Sequence, residues 1–370
     1  MPLPTPFHRQ TKDNHMADKN GRLLDDQASF DRLGIDRDHP QTWEDALRLK
    51  QPFKPGEWEW WYADAHFSDG LYCVVSFHIQ VDAEGRNTPF INLNIARDGT
   101  KLADITTPFD DGRFEVSDTQ CDVRIGKSFF RGLDGLERYH IHVDPDENQG
   151  HGLDLVLERT VRPYRPGTGR WENADGHFSW FSAVPGARTK GSLFVAGKAI
   201  EVEGNGYHDH NWGDVPMDHL LSDWLWGRAE VEGVTVVASS VRFRTEAGGL
   251  ETPLLYVARG EQVHADVIND QLICLEGVKV PVPQTGKKVS SDCVYIVDLD
   301  GLKGNVRFDG QRTIVASFPF TNSSPDWETW HAKFVAKVSV DLATDEEHLQ
   351  VSGVGSLENM DFLGRRRQLQ

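Results

Sequence analysis

From Glu57 onward the apolar residues of this chain fall at every second position, in short runs separated by turn residues. Leu71-Tyr72-Cys73-Val74-Val75-Ser76-Phe77-His78-Ile79 follows the turn Ser68-Asp69-Gly70. Phe90 to Ile95 alternates, and Gly99 closes the next turn. Phe114-Glu115-Val116, Cys121 to Ile125, Tyr139 to Val143 and Leu153 to Leu157 repeat the period. Successive side chains of a strand point to opposite faces, so this pattern builds half-buried strands. Their short spacing predicts an antiparallel meander that ends as a sandwich or barrel. No long amphipathic helical segment competes after residue 50.

Pro163 to Arg170 reads as a Pro/Gly loop, followed by strands at Phe178 to Phe181, Ser192 to Val195 and Ala199 to Glu203. A second β series runs from Trp224 to Phe362, clearest in Val234–Phe243, Leu254–Arg259, Ile273–Leu275, Cys293–Val297, Thr313–Ser317 and Trp330–Val340. Each half opens on a tryptophan cluster, Trp58/Trp60/Trp61 and Trp224/Trp226, which predicts two similar barrels in tandem. The 370 residues can bury a core in each. The expected organisation is an N-terminal extension over 1–48, partly disordered, a first β-domain over 49–215 and a second over 216–370. Within the extension, Asp36 to Lys50 contains a short helix pattern with Thr42 as N-cap and Glu44 and Asp45 in the first turn.

The net charge of −18 argues against binding to nucleic acid or to anionic membrane surfaces. The only basic run is Arg365-Arg366-Arg367. Cys73, Cys121, Cys274 and Cys293 form no CxxC pair and lie in strand contexts, which fits buried free thiols in a reducing compartment. Met1 to Asn20 has no apolar segment of signal-peptide type, and no apolar run reaches spanning length, so a soluble cytoplasmic protein is expected. There is no GxSxG, no P-loop and no GxGxxG before a helix, so dinucleotide and phosphate binding have no support.

The densest chemistry lies in Gly204-Asn205-Gly206-Tyr207-His208-Asp209-His210-Asn211-Trp212-Gly213-Asp214. Its glycines point to positive-φ positions or to close backbone approach. A turn there would aim several side chains at one point; a hydrogen-bonded corner at a domain junction is the alternative. Glu57 to Asp64 would alternate in a strand, with Glu57, Glu59, Trp61 and Ala63 on one face and Trp58, Trp60, Tyr62 and Asp64 on the other. A carboxylate beside indole faces has its pKa raised by desolvation, as a general acid requires; a barrel strand with its indoles inside is the plainer alternative. His208, His210 and His219 with Asp209 and Asp214 fit no standard metal spacing, so no metal is expected. Trp224-Leu225-Trp226-Gly227-Arg228 reads as a strand start, with Arg228 stacked on an indole or paired with an acid.

Glu59-Trp60-Trp61-Tyr62, Asp69-Gly70, the run Gly206 to Gly213 and Trp226-Gly227-Arg228, in that order, resemble the lipocalin-like superfamily of carotenoid hydratases (hydroxyneurosporene synthases) and AttH-like proteins. That superfamily also includes fungal kievitone hydratase and fungal decalin-forming Diels–Alderases. The resemblance implies two tandem lipocalin-like β-barrel domains, an apolar cavity, no cofactor and a hydrophobic, often isoprenoid or polyene, substrate. It gives weight to the His-x-Trp pair His210 and Trp212. It also implies a Tyr-x-Asp pair on a downstream strand, whose Asp would protonate the alkene; here Thr235 to Val241 has neither residue.

The expected function is thus a cofactor-independent lyase or isomerase on an apolar isoprenoid- or polyene-like substrate, adding or removing water at a C=C bond. The candidate acid/base is Asp209, with His208 and His210 orienting it or shuttling the proton, and Glu59 is the alternative acid. Trp60, Trp212 and Trp226 would face a developing cation, and Trp61, Tyr62, Asn211 and Arg228 complete the expected binding set. A pericyclic cyclase would need only a shaped dry cavity and a donor such as Tyr207, His210 or Asn211. A non-catalytic carrier of a lipophilic molecule is the third reading. Glu59, Tyr207, His208, Asp209, His210 and Trp212 are expected within one concave region.

Overall fold

In the computed structural model of the chain, which describes residues 20–282, 287–317 and 330–362, nearly everything is strand. The strands form one antiparallel sheet of thirteen and one of nine, with a separate two-stranded hairpin. Each sheet curls around its own apolar core, giving two lipocalin-like half-barrels in tandem. The first sheet ends at Gly213 and the second begins at Leu221, with the short helix Met217–Leu220 between them.

Ten strands build the boundary between the two sheets and the walls beside it. In the first sheet they are β1 (Trp58–Phe67), β2 (Leu71–Gln80), β3 (Phe90–Arg97), β4 (Thr100–Pro108), β5 (His177–Val195) and β6 (Lys198–Gly213), arranged in the order β4-β3-β2-β1-β6-β5. In the second they are β7 (Leu221–Val231), β8 (Val234–Phe243), β9 (Trp330–Thr344) and β10 (His348–Asp361), in the order β8-β7-β10-β9.

The alternation in the sequence decides which face goes where. β2 sends Cys73, Val75, Phe77 and Ile79 into the first core, and β1 sends Trp61, Ala63, Ala65 and Phe67 there. Burying a large apolar side chain contributes about 1.5–3 kcal/mol. The opposite face of the same strands meets the second sheet. Trp58, Trp60, Trp180 and Tyr207 from one side join Trp226, Val237, Val241 and Met360 from the other in a third apolar cluster. The long β5–β6 hairpin wraps the first curl, with two register shifts between Phe181 and Ala187. Pro185 sits among those shifts, where the ladder makes no demand on a backbone N–H.

Two expectations change. Gly204 to Gly213 is not a turn but part of β6, paired on both sides with β5 and β1. Gly204, Gly206 and Gly213 have no positive φ; they are there for close approach. A Cβ on Gly213 would lie 2.5 Å from the Trp58 ring, and one on Gly206 2.1 Å from Thr189 Oγ1. The described part of the extension is also more structured than its composition implied. An α-helix spans Gln27–Leu33, N-capped by Asp26 and closed by Gly34 in the left-handed region. The helix expected from Thr42 is a single 3-10 turn, Thr42–Asp45, with Gln41 at its N-cap. Glu44 is paired with Arg165 of the Pro/Gly loop, Asp45 accepts from Tyr139 of the first sheet, and both carboxyl residues are buried. The segment before residue 20 and the run Arg365-Arg366-Arg367 lie outside the described residues. Among the described residues, no helix is long and apolar enough to cross a membrane.

Candidate active site

Both barrel interiors are filled by side chains, and the cavity lies between the sheets. It measures about 220 Å³. One wall is the outward face of the first sheet, with Trp60, Tyr62, Phe178, Trp180, Asp209 and Asn211. The other wall is Trp224, Trp226, Ser239, Val241 and Met360 of the second. Trp60 of the first tryptophan cluster therefore shares the cavity with Trp224 and Trp226 of the second. β8, the strand that lacks the Tyr-x-Asp pair, contributes Ser239 and Val241.

Asp209 is the carboxyl set among these rings. Its Oδ2 accepts from Trp180 Nε1 and Tyr207 Oη, both at 2.8 Å, and its Oδ1 accepts from Asn211 Nδ2 at 2.7 Å. Burial pushes this carboxyl up to about 6, against the pull of the hydrogen bonds from Trp180 and Tyr207. A group with that value can give up or take a proton near neutral pH.

From Asp209 the wall becomes more polar toward the sheet edge. The ladder places Asp209 opposite Tyr62, Tyr62 opposite Ser76, Ser76 opposite Asn92 and Asn92 opposite Thr106. His78 lies two residues beyond Ser76, stacked on Phe90 with ring centroids 4.2 Å apart.

Beneath Tyr62 is a buried ionic cluster that spans the sheets. Asp64 of β1 pairs with Arg228 of β7 and with Lys333 of β9, whose Nζ is 2.9 Å away. Tyr62 Oη donates to Asp64 at 2.7 Å and accepts from Lys333 Nζ at 2.5 Å. Burial alone would raise the Asp64 carboxyl; the Arg228 and Lys333 charges outweigh it and hold the group well below the usual range. Lys333 also lies 3.5 Å from Glu358, which accepts from Trp224 Nε1 at 2.9 Å.

The structure divides the expected site residues between two faces. Trp60, Tyr62, Asp209, Asn211 and Trp226 line the cavity, and Tyr207 stands behind Asp209 as its donor. Arg228 is committed to Asp64. Glu59, Trp61, His208, His210 and Trp212 are on the opposite face, toward the first core, because they alternate with the cavity residues along β1 and β6. The expectation of one concave region holding Glu59, Tyr207, His208, Asp209, His210 and Trp212 is corrected by that alternation.

On that inner face, His208 Nδ1 is 2.9 Å from the Tyr62 carbonyl and Nε2 is 3.0 Å from Asp45 Oδ2. Burial lowers the His208 imidazole, but Asp45 outweighs it and the net shift is upward. His210 Nε2 meets Glu59 Oε1 at 2.7 Å, and its ring stacks on Trp61 at 4.6 Å. Glu59 also accepts the backbone N–H groups of Arg48 and Leu49. Trp212 packs at 4.9 Å from His210, with the Arg48 guanidinium 5.8 Å from its ring. Among the described residues, Asp45, Cys121 and His208 bring three possible ligand atoms within 4.8 Å of one another. Tyr139 and His208 already bond the Asp45 carboxylate. His219 and Asp214, which lie near His208 in the sequence, are not in that group. The four cysteines are free, and Cys73, Cys121 and Cys293 are buried.

The cavity is also lined by residues that the sequence did not single out: Ser76, His78, Asn92, Thr106, Trp180 and Glu358. A signal was present in part. Ser76 and His78, and Asn92 and Asn94, are polar pairs at i and i+2 in otherwise apolar strands. In an isolated sheet they would face water; only the arrival of the second sheet turns that face into a cavity wall.

No protein-family model matches the chain. A protein from Chlorobaculum tepidum named hydroxyneurosporene dehydrogenase is 23% identical over 222 residues, 47% of this chain and 54% of that protein. The match thus spans about half the length of that relative. Among solved structures, CghA with Sch210972 superposes with a TM-score of 0.62 at 16% identity, covering 83% of this chain and 89% of CghA. An AttH-type protein from Nitrosomonas europaea gives 0.58 at 16% identity, covering 86% and 98%. Kievitone hydratase from Nectria haematococca gives 0.53 at 13% identity, covering 94% and 98%. The chain thus shares the two-sheet fold of these solved structures.

Proposed function

We propose that the chain is a cofactor-independent lyase that adds water to, or removes it from, a C=C bond of a largely apolar small molecule held between the sheets. The observation that carries the reading is Asp209, a buried carboxyl with its pKa raised to about 6, set in a cavity walled by tryptophans. In hydration, protonated Asp209 gives its proton to one alkene carbon, and the π pair forms the new C–H bond. The cation left on the neighbouring carbon faces the rings of Trp60, Trp180 and Trp226. Water adds to that carbon and its proton returns to the Asp209 carboxylate. Trp180, Tyr207 and Asn211 hold the carboxylate and stabilise its charged form in the meantime. The hydratase among the fold relatives supports this class of chemistry by analogy.

One observation favours a second reading, a pericyclic cyclase. Both Asp209 oxygens already accept hydrogen bonds, as a purely structural carboxylate would. The cavity would then only fold a polyene. Turnover in deuterated water separates the readings. Hydration places deuterium on carbon, and Asp209→Asn lowers turnover on the order of 100-fold or more. Ring closure without deuterium, by an active and folded Asp209→Asn variant, would refute the hydratase reading in favour of the cyclase.

A further inference from the structure

The second-sheet wall of the cavity carries a carboxyl of its own, Glu358 of β10. It is the cross-strand neighbour of Trp226 on β7, so the two backbones are one strand spacing, about 5 Å, apart. Its Oε1 accepts from Trp224 Nε1 at 2.9 Å, and its Oε2 lies 3.1 Å from His331 Nε2. Glu358, Trp224 and Trp226 all line the cavity, and the Glu358 side chain is 12% exposed. Lys333 and Arg228, the cations of the cluster beneath, do not line it, and Lys333 is 1% exposed. Among the described lining residues there is no Lys or Arg; the acids are Asp104, Asp209 and Glu358. Rings and carboxylates together make a surface that suits positive charge. The environments of Asp209 and Glu358 also push the two carboxyls apart. Burial lifts Asp209 to about 6. Burial would raise Glu358 too, but the charges of His331 and Lys333 outweigh it and hold the group well below the usual range. One carboxyl can thus carry a proton near neutral pH while the other stays an anion. Trp226 stands between them, its ring 5.0 Å from that of Tyr207, the donor to Asp209.

We propose that Glu358 is a further catalytic residue, the fixed counter-anion for the positive charge that develops on the substrate beside Trp224 and Trp226. This rests on the hydratase reading and deepens it: Asp209 supplies the proton, and Glu358 faces the cation that protonation creates. Trp224 and His331 hold the carboxylate in place, so it need not reorient as the charge appears. The Trp226 ring already takes the Lys333 ammonium 4.5 Å from its centroid, so a carboxylate beside it is needed for a second positive charge. Lys333 lies 3.5 Å from Glu358 and weakens its field, but that ammonium is 2.9 Å from Asp64, and the charges of Asp64, Glu358, Arg228 and Lys333 cancel. Only the Glu358 corner of that neutral cluster lines the cavity, so a cation there meets the attraction first.

The test uses benzyltrimethylammonium as a stable mimic of the cation and neopentylbenzene, in which carbon replaces the nitrogen, as its neutral counterpart. Both are titrated against tryptophan fluorescence of the full chain at physiological salt, where attraction of a cation to the acidic surface is screened. The ammonium is expected to bind on the order of 10-fold or more tighter than the hydrocarbon. Glu358→Gln should abolish that preference while hydrocarbon binding persists, and thermal melts confirm that the variant is folded. Glu358→Gln combined with Lys333→Met keeps the net charge of the wild type and relieves the unpaired ammonium. It should regain stability but not the preference, which separates a local counter-anion from a structural role. Equal affinities in the wild type, or an ammonium preference that survives Glu358→Gln, overturns the proposal and leaves the role of Asp209 standing. Failure of both probes to bind at their solubility limits overturns the substrate-site reading and this inference with it. An ammonium preference lost in Glu358→Gln, beside a fully active Asp209→Asn, overturns the acid role alone and leaves the cation site in place.

Discussion

Lys333 Nζ of the second sheet lies 2.9 Å from Asp64 Oδ2 of the first, and both side chains are buried. Arg228 reaches the other Asp64 oxygen, and Glu358 lies 3.5 Å from Lys333, so two cations meet two carboxylates at the sheet boundary. The hydroxyls of Tyr62 and Tyr72 occupy further acceptor positions on Asp64. Buried ions are stable only when paired and hydrogen-bonded this completely. The cluster fixes where the second sheet sits against the first, and thereby the shape of the cavity directly above Tyr62.

Asp64→Asn keeps the outline of the side chain and leaves Arg228 and Lys333 with too little negative charge. The expected loss is about 3–5 kcal/mol, the usual cost of removing one partner from a buried pair. It is read as a lower urea midpoint at unchanged slope. Adding Lys333→Met should recover part of the loss. A loss below about 1 kcal/mol in the single variant would show that the cluster does not hold the sheets.

How far the sequence foretold this depends on the range of the interaction. Period-two alternation is local, and it correctly separated Trp58, Trp60, Tyr62 and Asp64 from Glu59, Trp61 and Ala63. The same rule applied to β6 separates Asp209 from His208 and His210, but the glycines around them suggested a turn. Gly213 is instead required by the Trp58 indole, which is far away in sequence. Asp45 shows the opposite limit. It lies in a segment that reads as a polar extension, and its burial depends on Tyr139 and His208, 94 and 163 positions along the chain.

Glu59→Gln tests the inner face. The carboxylate accepts from two backbone N–H groups and from His210, and an amide can reproduce only part of that pattern. Stability should fall by about 1–3 kcal/mol. Turnover per folded molecule should be retained, because Glu59 faces away from the cavity. A variant of wild-type stability but without turnover would move Glu59 back into the chemistry.

Gly213→Ala tests the reason for glycine in β6. The added methyl would meet the Trp58 ring at 2.5 Å and the His177 carbonyl oxygen at 2.8 Å. Trp58 stacks on Trp60 at 4.6 Å, so any shift is passed to the cavity wall. Overpacking of this kind costs about 1–3 kcal/mol. Thermal denaturation should show the loss, and a melting temperature equal to wild type would refute the close-approach explanation.

The pH dependence of Asp209 links stability to function. Burial raises the folded carboxyl to about 6, whereas an unfolded aspartate titrates near about 4. Between those values the native state holds the proton that the unfolded state has released. Stability contributed by this group therefore falls as pH rises from about 4 to about 6, by on the order of 2–3 kcal/mol. Asp209→Asn cannot titrate, so urea midpoints of the variant should lack that slope. The same proton is the one a hydration step consumes. If Asp209 is the acid, kcat/KM in the hydration direction stays level below about pH 6 and falls above it, and the asparagine variant is slow at every pH. A wild-type profile that rises through about pH 6 would make Asp209 the base instead. A flat profile across that range, with the stability slope present, would show that the carboxyl titrates without taking part in the reaction.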